Sequence, residues 1–275
     1  MKKLKLLIVG SDERQIYCAE KLSEQYDTSF IGFDSEKLPE DFPVPPASPY
    51  ERGAYDCAVL PVRCSDSKLL HTVGTLLSPE GMVIAGRLPE ESGSAFGERE
   101  VISFLDREDF ALKNAVLTAE GAVQTALDRL NVSLHSMPVL IIGLGRIGTA
   151  LTALLKGFGA DITAAVRNER GAARAFMLGV KAIRSDSIGG GYGLIFNTVP
   201  SLMLDERVLS EQSRDTLIIE LASKPFGTDF EAAEKLGIRA VKASGLPAVT
   251  VPVSAGRLIA DTVHGILEER GERNV

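Results

Sequence analysis

PVLIIGLGRIG, Pro138 to Gly148, reads as a buried strand that runs through a glycine turn into a helix, and the rest of the chain can be arranged around it. Gly143 allows the tight turn, Gly145 lets the backbone approach a pyrophosphate, and Gly148 lets the new helix pack closely on its strand. The first amides of that helix then face the anion. A lone GxGxxG is weak evidence. Here an apolar strand precedes it, and Ala150, Leu151, Leu154 and Leu155 continue it at helical spacing, so the stretch predicts a dinucleotide cradle.

Downstream, strands are expected at Val139–Gly143, Asp161–Val166, Val180–Ile183, Leu194–Asn197, Leu217–Leu221 and Arg239–Val241, the six of a complete dinucleotide-binding sheet. A last helix spans Ser254–Glu269 and can cross back to the first half. Upstream, Leu4–Val9, Gly10 and the helical stretch Arg14–Gln25 repeat the cradle's pattern. GSDERQ, however, puts Asp12 and Gln15 where the second and third glycines would fall. A carboxylate there repels a pyrophosphate, so only the second half is expected to bind nucleotide.

FIGFD, ending in Asp34, reads as the next strand. Leu38–Pro49 carries five prolines and is a surface loop. The strands DCAVLPV, MVIAG and VISF, a helix at Asp66–Leu77 and a polar loop at Glu90–Gly97 complete an alternating first half, which implies a parallel sheet. Arg87 and Asp106 fall just past strand ends. From Thr118 to Leu130, apolar spacing marks a linking helix with Glu120 in its first turn. The fold class is therefore α/β, with two Rossmann-like doubly wound parallel-sheet domains and an interdomain cleft. The first domain is 1–132, joined by the C-terminal helix 254–275; the nucleotide-binding domain is 133–253.

The net charge of -7 and pI near 5.2 exclude a broad nucleic-acid or anionic-membrane surface. The opening MKKLKLLIVG has too short an apolar run for a signal peptide and reads as the first strand of a cytoplasmic protein. Cys18, Cys57 and Cys64, with His71, His135 and His264, form no metal-ligand spacing, and no metal is expected. At the end of the second strand of the cradle half, where an NAD site offers a carboxylate, this chain has Val166, Arg167 and Asn168. Arg167 can pair with a 2′-phosphate, so NADP is preferred over NAD; Glu169 is the nearest acid.

On GSDERQ (Gly10–Gln15), ALKNAVLTAEG (Ala111–Gly121), GLGRIG, IFNTVP (Ile195–Pro200), ASKPFGTDF (Ala222–Phe230) and GLPAVTVPVSAG (Gly245–Gly256), the chain resembles the dipicolinate synthase A-subunit family nearly end to end. The resemblance implies two Rossmann-like domains with a cleft between them, a nicotinamide cofactor (NADP or NAD) and a mother-cell cytoplasmic setting in sporulation. It also implies, as partner, the flavoprotein-like B subunit of dipicolinate synthase; a homo-oligomer is expected. By position, it implies that Gly143, Gly145, Arg146, Ile147 and Gly148 hold the pyrophosphate. Asn197, Thr198, Val199 and Pro200 would line the nucleotide, and Ser223 and Lys224 would lie near the nicotinamide. The chain departs from the family pattern at Ser11, Phe226 and Val253, the last where a lysine is common.

The implied substrate is a dihydro- or hydroxytetrahydrodipicolinate, a ring with two carboxylates that aromatises on hydride loss. Such a site needs cations and a base. Arg14, Arg87 and Lys224 are candidates for the first, Glu120 and Asp12 for the second. Two rivals stand beside this reading. A D-2-hydroxy-acid dehydrogenase needs a histidine, for which His264 is the available residue; a non-catalytic NADPH-binding protein needs none.

Overall fold

The computed structural model describes residues 3–10, 12–89 and 92–273, so Ser11 lies outside the described residues. The chain divides into two compact units, one formed by the residues up to Asn114 together with those from Val251 onward, the other by Ala115–Thr250. The division falls inside a helix and not at the expected 132/133 boundary.

In the first unit, β1 (Lys5–Val9), α1 (Glu13–Ser23), β2 (Asp27–Ile31), β3 (Tyr55–Val59), α2 (Ser67–Leu76), β4 (Leu77–Ala85), α3 (Gly93–Phe96) and β5 (Val101–Ser103) precede α4 (Glu108–Leu127). Its five strands pair in parallel in the order β2-β1-β3-β4-β5. Leu6 to Val9 and Cys57 to Val59 are almost wholly buried, as strands covered on both faces must be. β2 sits earlier than FIGFD suggested, because Gly32 turns out of the strand at φ 77° and leaves Asp34 beyond its end. Part of the expected polar loop at Glu90–Gly97 is the short helix α3; Glu90 itself lies outside the described residues.

The second unit carries β6 (Pro138–Ile142), α5 (Arg146–Gly157), β7 (Asp161–Val166), α6 (Glu169–Met177), β8 (Lys181–Arg184), β9 (Leu194–Asn197), α7 (Glu206–Ser210), β10 (Leu217–Glu220), α8 (Phe230–Leu236), β11 (Arg239–Lys242) and α9 (Leu246–Thr250). The parallel order β11-β10-β9-β6-β7-β8 is the two-times-three-strand arrangement of a dinucleotide-binding sheet, with its switch point between β6 and β9. Val139 to Ile142 are fully buried, so the sequence run chosen as a strand is the sheet's centre.

The linking helix is longer than expected. α4 begins at Glu108, with Glu108 and Asp109 as its first-turn acids, so Glu120 stands mid-helix and not at the N-terminus. The earlier turns escaped the periodicity because Leu112 and Val116 stay largely exposed. The last helix, α10 (Pro252–Arg273), belongs to the first unit and lies along α1. Gly256 makes that approach possible: a Cβ there would stand 2.3 Å from the Arg14 carbonyl oxygen. Tyr26 Oη and His264 Nδ1, 2.7 Å apart, close the other end of the same seam.

Candidate functional site

At the switch point of the second sheet, Gly143 leaves β6 at φ 87°, a conformation that favours glycine. Gly148 is required by packing, since a Cβ there would lie 2.0 Å from the Gly143 carbonyl oxygen. Gly145 differs: its Cβ would meet nothing within 4 Å. No intramolecular contact demands glycine at 145, whereas a ligand running close over the backbone would. Thr198 buttresses the turn from β9, its hydroxyl donating to the carbonyls of Ile142 (2.8 Å) and Gly143 (3.2 Å).

A cavity of about 460 Å³ opens over this turn. Gly143, Gly145, Val166, Arg167, Asn168 and Val199 are among its walls. The dimensions and the open glycine fit a dinucleotide, and the residues that would hold its pyrophosphate are the backbone at Gly143–Gly145 and the first turn of α5. Arg167 is exposed directly after β7. Asn168 caps α6, its side chain accepting from the Gly171 amide at 3.0 Å. Arg146 is exposed in the first turn of α5, while Ile147 packs against the hydrophobic core.

The equivalent turn of the first sheet is built differently. Asp12 is the N-cap of α1, its Oδ1 accepting from the Arg14 amide at 3.0 Å. The same carboxylate takes a two-pronged bond from the Arg14 guanidinium, at 2.9 Å from Nε and 2.7 Å from Nη2. An internal anion thus already occupies the helix end where a phosphate would bind. The pairing also ties the candidate base Asp12 to the candidate cation Arg14 and leaves Arg14 with Nη1 uncommitted by these bonds.

Asn197 does not face the cavity. It is fully buried, and its amide donates to both oxygens of Glu220, at 2.8 and 2.9 Å, and to the Val199 carbonyl. Glu220, only 1% exposed at the end of β10, also accepts from the amides of Ala222 (3.0 Å) and Gly227 (3.1 Å) and from the Thr228 hydroxyl (2.7 Å). This buried carboxylate gathers the loop after β9 and the loop after β10 around one point. Ser223 and Lys224 stand exposed on that second loop. Phe226, where the family pattern has glycine, holds φ 69° with its ring 5.3 Å from the Lys242 ammonium. Pro200 is exposed.

Sequence reasoning missed Glu220 altogether, and it missed Arg170 and Arg174, which also wall the cavity. The repeat Arg167, Arg170, Arg174 is the spacing of one helix face and was the available signal. Glu120, exposed on α4, and Lys224 make no ion pair among the described residues. The three cysteines are buried; burial pushes the Cys57 thiol up to about 12 and the Cys18 thiol higher still, so neither is a thiolate nucleophile. Among the described residues no helix is long and apolar enough to cross a membrane.

Residues 110–222 match the family described as D-isomer specific 2-hydroxyacid dehydrogenase, NAD binding domain. Over nearly its whole length the chain is similar to the dipicolinate synthase A subunit of Bacillus subtilis (strain 168), at 30% identity covering 97% of this chain and 96% of the relative. The crystal structure of that Bacillus subtilis dipicolinate synthase polypeptide superposes with a TM-score of 0.85 at 27% identity, covering 99% of this chain and 98% of that one. The A-subunit structure from Bacillus halodurans gives the same TM-score at 26% identity, covering 97% and 98%.

Proposed function

Because this chain belongs to the dipicolinate synthase A-subunit family, with an NAD-binding domain of the 2-hydroxyacid dehydrogenase type, we propose that it forms pyridine-2,6-dicarboxylate from a dihydro- or hydroxytetrahydrodipicolinate with NADP as preferred cofactor. The observation that carries the reading is the open cavity over Gly145, walled by arginine on the side where the adenosine ribose would lie. When bound, the nicotinamide supplies the hydride acceptor. The chain's own residues do the rest. The backbone of Gly143 and Gly145 and the α5 turn of Arg146, Ile147 and Gly148 hold the pyrophosphate; Thr198, Val199 and Pro200 border it, and Arg167 takes the 2′-phosphate. Asn197 acts one step back, through Glu220, by fixing the loop that carries Ser223 and Lys224.

For the dicarboxylate, Lys224 and Arg14 are the proposed cations and Glu120 the proposed base, with Asp12 next. Asp12 is the weaker candidate because its carboxylate is already bonded to Arg14. A dihydro ring loses one hydride and one proton; a hydroxytetrahydro ring loses water as well. The setting proposed is the mother-cell cytoplasm, with the dipicolinate synthase B subunit for a partner. The deciding experiment follows dipicolinate absorbance and NADPH together, with and without the B subunit. Stoichiometric NADPH binding with no turnover in either arm would instead favour a non-catalytic binding protein.

In the 2-hydroxy-acid dehydrogenase alternative, the available histidine is already bonded within the first unit. His264 sits on α10 of the first unit, bonded to Tyr26 and 3.3 Å from Glu268, and none of the three histidines lines the cradle cavity.

Three variants probe the cofactor. Gly145→Val should still fold, since a Cβ there enters open space, and lose only about 1 kcal/mol for valine at the N-cap of α5, yet weaken NADPH and NADH alike by about a hundredfold or more. Asp12→Ala should leave both dissociation constants in place; the opposite pattern would put the nucleotide on the first unit. Arg167→Ala should weaken NADPH by about ten- to a hundredfold, the worth of a charge-assisted contact, while leaving NADH nearly unchanged. Equal weakening of the two would reject the role of Arg167.

A further inference from the structure

Among the described residues, the cavity over the cradle is walled by three arginines, Arg167, Arg170 and Arg174, and by no aspartate or glutamate. The three are not equivalent. Arg174 donates through Nη1 to the Leu144 carbonyl, inside the glycine turn, and is thereby committed to the loop. Arg167 and Arg170 carry neither hydrogen bond nor ion pair among the described residues. Elsewhere among the described residues, Arg14, Arg107, Arg184, Arg207 and Arg270 are each paired with a carboxylate, while Arg52, Arg63, Arg87, Arg214 and Arg257 are not; what sets Arg167 and Arg170 apart is that both wall one cavity. Glu169, the first residue of α6 and the nearest acid in sequence, is exposed and does not line the cavity.

Two unpaired guanidiniums on one wall of a cavity cost nothing while solvated, but they repel each other and gain most from a shared anion. Arg167 stands just before Asn168, the cap of α6, and Arg170 is in the first turn after it, so the pair brackets the positive end of the helix dipole. A phosphate monoester carries about −1.5 to −2 charges at neutral pH, more than one arginine can balance.

We propose that Arg170 is the second guanidinium of a two-arginine clamp, with Arg167, for a phosphate-monoester dianion, and that Arg174 is a positioning residue that fixes the glycine turn to the same helix. This rests on the dinucleotide reading above, in which the monoester is the 2′-phosphate of NADPH. The helix α6 then couples the two ends of the cofactor site. Arg167 and Arg170 discriminate, whereas Arg174 serves either nucleotide.

The test is equilibrium binding to the full-length protein, followed by nicotinamide fluorescence for NADPH and NADH and by competition with 2′-AMP and 5′-AMP. Arg170→Ala is expected to raise the NADPH dissociation constant about tenfold, leave that of NADH within about twofold, and remove the advantage of 2′-AMP over 5′-AMP. Arg170→Lys should recover part of the loss, because the charge returns without the planar fork. Removing both Arg167 and Arg170 should bring the two cofactors to parity. Arg174→Ala should weaken both by the same factor. An Arg170→Ala protein that binds NADPH as the parent does, or that loses NADH equally, overturns the clamp. Parent protein binding NADPH and NADH with equal strength overturns it too while sparing the dinucleotide reading; parent protein binding neither removes both. Arg170 is exposed, so the variants should fold, and melting temperature checks this directly.

Discussion

Glu220→Ala is expected to destabilise the second unit by about 4 kcal/mol or more, a drop of about 10 °C or more in its melting temperature. The side chain accepts from Asn197 Nδ2, the Ala222 and Gly227 amides and the Thr228 hydroxyl, all in a buried setting. Removing it strands these donors, each at a cost of about 1–3 kcal/mol, besides opening a hole at the end of β10. Glu220→Gln keeps the shape but turns an NH₂ towards donors, so it should lie between the parent and the alanine protein. The loop bearing Ser223 and Lys224 should loosen in both, raising KM before the unit unfolds. Thr228→Val, which removes one donor along with its bond, should cost only about 1 kcal/mol. Thermal unfolding of the three proteins checks the ranking; a Glu220→Ala protein as stable as Thr228→Val would mean that the carboxylate does not organise these loops.

Glu120→Gln should bind substrate and cofactor normally and turn over about 10²–10⁴-fold more slowly, the usual contribution of a positioned general base. The helix geometry sharpens this prediction. At a helix N-terminus a carboxylate has a purely electrostatic reason to be there, worth about 0.3–1 kcal/mol of stability. Glu120 is mid-helix and exposed on α4, beyond the reach of that effect, and glutamine forms helix about as well. The two roles therefore separate cleanly: an unchanged melting temperature with collapsed kcat supports the base, and intact kcat rejects it and passes the test to Asp12. Arg14 and Lys224, by contrast, would meet charges present in ground and transition states alike, so their removal should raise KM more than it lowers kcat.

Local chemistry made the centre of the molecule legible. The cradle is a contiguous run whose residues each have a short-range reason, and all six strands of the second unit fall within a residue or so of their expected places. Asn197 and Glu220 were opaque for the opposite reason. LIIEL shows an acid at the end of an apolar run, but nothing local says that the acid turns inward to meet an amide 23 residues earlier and a hydroxyl 8 residues later. The start of α4 was hidden because Leu112 and Val116, which ought to mark a buried stripe, are exposed. β2 was placed too late because FIGFD is apolar on both sides of the glycine that ends the strand. Arg167 is readable as the residue after a strand; Arg170 and Arg174 follow it at helical spacing, a signal that gains its meaning once α6 sets them on the cavity wall.

The seating of α10 against α1 at Gly256 has a consequence for biosynthesis. A ribosome delivers β1 and α1 before their covering helix, with the whole second unit made in between. At about 5–20 residues per second, the face of α1 that meets α10, at Arg14 and Tyr17, waits on the order of 10–50 s for that helix. The nucleotide-binding half can therefore mature while the nascent amino-terminal half is still incomplete, and it is during this interval that chaperones have a surface to hold.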